Sequence, residues 1–78
     1  MTSKKNIHEL GSMKEILEGA IQREERSYRF YLEAKARSRT PTEAALFDAL
    51  ANEELVHKQK LTSKLEAILA QMEIDRAL

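Results

Sequence analysis

Apolar residues fall at helical spacing along most of the chain. From Met13 they recur at Ile16, Leu17, Ala20, Ile21, Tyr28 and Tyr31, and the pattern fades near Arg37. Steps of three and four predict an amphipathic helix over residues 12–37. Ser12 followed by Glu15 reads as a capping box at its start. Residues 1–11 are mostly polar and predict a flexible N-terminal lead-in.

Ser38-Arg39-Thr40-Pro41 breaks the pattern. Thr40 suits an N-cap, Pro41 suits the first helical position, and Glu43 completes the box. A second stripe follows with Phe47, Leu50, Ala51, Leu61, Leu65, Ile68 and Met72. It predicts a helix over 41–73, with 75–78 as a C-terminal tail. Ser63 with Glu66 also reads as a box, so residues 62–74 either continue that helix or form a separate one. The expectation is an all-α hairpin over residues 12–74, its two helices antiparallel because the connection is short. The second helix is longer, so residues 67–78 are expected to overhang the first.

Composition sharpens this reading. The chain has 78 residues, 42% hydrophobic and 33% charged, with two Gly, one Pro and no Cys. A domain this small buries only about 60% of its unfolded surface, and such scaffolds usually need a staple. The lack of cysteine excludes disulfides, thiolate metal sites and iron–sulfur clusters. Oxygen and nitrogen metal ligands, or oligomerisation, remain. Thirteen basic and thirteen acidic residues cancel. Net charge therefore gives no support for nucleic acid or an anionic membrane as partner. Residues 1–39 carry nine basic and six acidic side chains, and residues 40–78 carry four and seven, a split that suits antiparallel pairing. No apolar run approaches a membrane span, and a cytoplasmic location is expected.

The informative positions are those where a stripe is interrupted. Glu24 falls on the first stripe, and Glu54 and His57 fall on the second. Charged groups on an apolar face are costly unless paired or bound to metal. In a hairpin with this turn, all three fall at one level. Glu54 and His57 also share a helix face, being three apart. Two carboxylates and an imidazole suit iron or manganese, and zinc less selectively. Glu-x-x-His on facing helices is the arrangement of di-iron carboxylate bundles, which draw ligands from four helices. One chain supplies half of that set, so a homodimer at minimum, or a larger ring, is expected. Glu25 and Glu53 each stand one residue off the stripe and are expected to be solvated. An alternative without chemistry is a helical-hairpin interaction module whose polar level sets register. Tyr28, Phe30 and Tyr31 among arginines hint at RNA, but Glu24, Glu25 and Glu33 interleave them, and nucleic-acid binding is not expected.

The run from Ala20 through Glu24 and Tyr28 to Tyr31, the Thr40–Glu43 turn, and Phe47 to His57 together resemble the ferritin-like superfamily. The encapsulated ferritins and rubrerythrin-like domains are its most similar branches. The resemblance covers about residues 13–62. It implies a ferroxidase with a di-iron centre shared between subunits of a four-helix bundle, acting in iron storage or detoxification. It further implies Glu24 as a terminal or chelating ligand, Glu54 as the bridge and His57 as terminal. Tyr31 would donate a hydrogen bond to the cluster or its ligands, with Tyr28 a second candidate. Peroxide reduction, as in rubrerythrin-like domains, is the alternative chemistry. An encapsulin shell is an implied partner, yet residues 72–78 do not resemble a docking tail for one. Arg23 and Arg26 stand beside Glu24, where encapsulated ferritins carry further acidic residues.

Overall fold

The computed structural model describes residues 3–77, and the side chains of residues 8–77. Helix α1 spans Ser3–Ala36 and α2 spans Pro41–Ala77. The helices pack along each other into a rod of 58 × 15 × 14 Å. Cross-helix partners run in opposite order, Lys35 with Asp48 and Glu25 with Lys58, so the pair is antiparallel. The fold is the expected all-α hairpin.

The turn forms as its residue types dictate. At the end of α1 the Arg37 N–H is shared between the Glu33 and Ala34 carbonyls, at 3.1 and 3.2 Å. The Ser38 hydroxyl then donates to the Ala34 carbonyl at 3.1 Å. Thr40 caps α2 by accepting the Glu43 N–H at 3.1 Å. The Glu43 carboxylate reaches back to the Arg39 N–H, one residue before the N-cap, at 3.5 Å. The expected box is therefore present, closed one residue upstream.

Three boundaries differ from expectation. Helix α1 begins at Ser3 rather than at residue 12, so Ser12 is an interior residue and not a cap. Nothing in residues 4–11 stops a helix, since there is no proline and one interior glycine costs only about 1 kcal/mol. Half-buried Leu10 extends the stripe of Met13 and Leu17 backwards by one turn. Helix α2 continues unbroken past residue 62 to Ala77, so the expected tail is helical through residue 77. The rest of the expected lead-in and tail, residues 1, 2 and 78, lies outside the described residues. Because α1 starts early, its 34 residues nearly match the 37 of α2, and the expected overhang is mostly covered. Ile68 shares a groove with Met13 and Leu17, and Asp75 is only 6% exposed.

Most of the shared stripe between the helices is half-buried. Among the described residues Ala51 is the only apolar one that is fully buried, at 1% exposure. Ile16, Phe30 and Leu46 remain 70, 64 and 56% exposed. No helix among the described residues is long and apolar enough to cross a membrane.

Candidate metal centre

Helical periodicity puts Glu24 on α1 in the same stripe as Leu17, Ile21 and Tyr28, so it faces α2. On α2, Glu54 and His57 follow Leu50 and Ala51 on the face toward α1. The hairpin brings the three to one level. One ligand atom from each lies within 4.8 Å of the others. His57 Nδ1 stands 3.5 Å from Glu24 Oε2 and 3.5 Å from Glu54 Oε1. The imidazole is the outermost member and half exposed, whereas both carboxylates are largely covered.

Electrostatics at this level are strained by like charge. The Glu54 carboxyl is held above its usual range, first by a hydrogen bond with Glu24, then by burial and by the Glu24 charge. Two carboxylates that close favour sharing a proton over ionising together. His57 and the hydroxyl of Ser27 pull Glu54 the other way. Ser27 was not singled out from the sequence. It lies three residues after Glu24, one turn along the same helix, and that spacing is the signal that could have found it.

Glu24 Oε2 is buried without a hydrogen-bond partner among the described residues. A buried carboxylate oxygen with no donor is costly, and a cation would satisfy it. Two carboxylate oxygens and an imidazole nitrogen are hard-to-borderline donors that suit iron or manganese. The residues therefore fit the metal that the sequence points to.

The neighbouring charges sort themselves out. Glu25 stands on the other flank of the seam between the helices, where it accepts from Arg29 Nε at 2.9 Å and from Lys58 Nζ. These two bonds hold its carboxyl below the usual range. It is a cross-helix strut rather than a free acid. Glu53 is exposed, as expected. Tyr31 is half-buried on the Glu24 face two turns along, its ring edge-on to Phe30 at 5.4 Å. Among the described residues its hydroxyl donates no hydrogen bond to Glu24, Glu54 or His57.

Comparison with known proteins gives one family. No curated protein and no solved structure matches the chain. The family model described as Rubrerythrin matches residues 2–76, nearly the whole sequence, and its members are ferritin-like di-iron proteins. The chain, with its Glu24, Glu54 and His57 cluster at mid-hairpin, belongs to the rubrerythrin family.

Proposed function

We propose that two copies of this hairpin pair into a four-helix bundle, and that their two sets of Glu24, Glu54 and His57 hold a di-iron centre with ferroxidase activity. The observation that carries this reading is the convergence of the three side chains around a buried carboxylate oxygen that lacks a donor. Bound there, iron would supply one-electron redox chemistry, Fe(II) being oxidised to Fe(III) with oxygen or peroxide as acceptor.

The chain's own part is to gather charge and manage protons. Ligation needs both carboxylates ionised and His57 Nδ1 free of its proton. Any proton that the raised Glu54 carboxyl holds must therefore leave as metal binds. Ser27 already favours the charged form of Glu54, which lowers the cost of losing it.

The test is aerobic Fe(II) oxidation followed by ferric absorbance, with metal analysis of the purified protein. One iron per chain and a rate above buffer are expected. Glu54→Ala should abolish both. Oxidation no faster than buffer would sink the ferroxidase reading. Family membership favours peroxide as a second oxidant to compare, and a rate with peroxide far above that with oxygen would move the assignment to peroxide reduction.

A further inference from the structure

Away from the metal level, one buried polar side chain stands apart. Asp75 is 6% exposed, and its Oδ2 is buried without a hydrogen-bond partner among the described residues. Its Oδ1 accepts from Gln71 Nε2 at 2.9 Å. A covered carboxylate of this kind is costly unless a positive field meets it. Its own helix supplies the opposite field. Asp75 lies in the last turn of α2, at the negative end of the helix dipole.

The neighbouring helix has the complementary fault. The first turn of α1, Ser3-Lys4-Lys5-Asn6, holds no acidic residue and puts two lysines at the positive end of its dipole. The first four N–H groups of a helix have no partner within it. The register that faces Glu24 with His57 and Glu25 with Lys58 sets Asp75 level with residues 6–8. Each charge is misplaced on its own helix and well placed against the other. Asp75 therefore stands where the anion missing from the start of α1 is needed.

Helix α1 also runs through a second, ready-made start. Ser12 and Glu15 have the spacing of a capping box, yet both are exposed residues inside the helix. Gly11, just before them, is a position of weak helix propensity. We infer that α1 has two alternative starts and that the charge of Asp75 selects between them. With Asp75 engaged, the helix begins at Ser3. With that charge withdrawn, it begins at the Ser12 box, and residues 3–11 come away from the end of α2 as a strap. Release uncovers Leu10 and Met72, which are half-buried in the closed form. It thereby lengthens the apolar groove lined by Met13, Leu17 and Ile68. The device involves no metal and stands apart from the chemistry proposed above.

Amide hydrogen exchange on the full chain, in chelator and at one protein concentration, tests this. In the unaltered protein the amides of residues 7–11 should exchange through one common opening, separate from that of residues 16–36. Asp75→Asn removes the charge and keeps an acceptor for Gln71. It should speed exchange at residues 7–11 by about tenfold and leave residues 16–36 unchanged. The edge of protection should then fall as a step between Ser12 and Ile16. Ser12→Ala should be silent alone and should blur that step in the Asp75→Asn background. Lys4→Glu should restore protection in the same background, because it returns an anion to the first turn. If Asp75 is merely an uncompensated buried charge, Asp75→Asn slows exchange at residues 7–11, and that result overturns the proposal. So does a loss of protection spread over both helices in Asp75→Asn. Exchange graded residue by residue from Ser3 in the unaltered chain overturns it as well, and that pattern is read without any variant.

Discussion

Glu54 is where one side chain most affects the rest. Its carboxyl is held above the usual range because Glu24 sits beside it, so the metal-free folded state binds a proton more tightly than the unfolded chain. Stability from that proton is complete below the unfolded pKa and is lost as pH rises through the raised folded value. Melts in chelator should therefore show midpoints falling from about pH 4.5 upward, and Glu54→Gln should flatten that slope and raise the midpoint at neutral pH. The same variant should bind metal at least ~10-fold more weakly, so adding metal should reverse the order of the two proteins. Parallel slopes in the two would show that Glu54 is not the group responsible. Ser27→Ala should raise the Glu54 pKa further, read by carboxyl-carbon NMR titration, because the hydroxyl favours the charged form. Glu24, Glu54 and His57 were legible in the sequence, since each breaks an apolar stripe at a height the turn fixes. Ser27 and the Glu25–Lys58 strut were not, because their roles depend on which flank of each helix meets the other.

At the scale of the element, the turn carries a large local term. Thr40 satisfies the Glu43 N–H, and losing such a cap typically costs ~1 kcal/mol. Thr40→Ala should lower stability by about that amount, and Thr40→Ser should restore most of it, both read by denaturant melts. Gly19 is the converse case. It sits inside α1, exposed, with nothing within 4 Å of where a Cβ would stand. Gly19→Ala should stabilise by about 0.5–1 kcal/mol through helix propensity alone. No change or a loss would mean that another surface covers that position. The turn and both helix cores could be read directly, because Thr-Pro-x-Glu and the apolar period specify them locally. The start of α1 could not. Ser12 with Glu15 imitates a cap, and what overrides it is tertiary: Leu10 continues the stripe because α2 extends far enough to cover it.

Among the described residues the molecule is a rod of two helices with large apolar side chains left exposed and almost nothing fully buried. Isolated helices gain most of their stability from packing an amphipathic face, and here half of that packing is absent from the single chain. Folding and association should therefore be one process. If a second copy supplies the missing core, unfolding converts one dimer into two disordered chains, and mass action makes the midpoint rise with protein concentration. Melts at concentrations a hundredfold apart should differ by several degrees, with far-ultraviolet dichroism and sedimentation reporting the same transition. If metal binds where two ligand sets meet, it should act on the same equilibrium. At a free concentration of a hundred times its dissociation constant it should add about 2.7 kcal/mol. It should also shrink the concentration dependence within the accessible range. A midpoint that ignores protein concentration with and without metal would mean that the exposed apolar side chains are covered within one chain or not at all, and that the half-set of ligands is not completed by a twin.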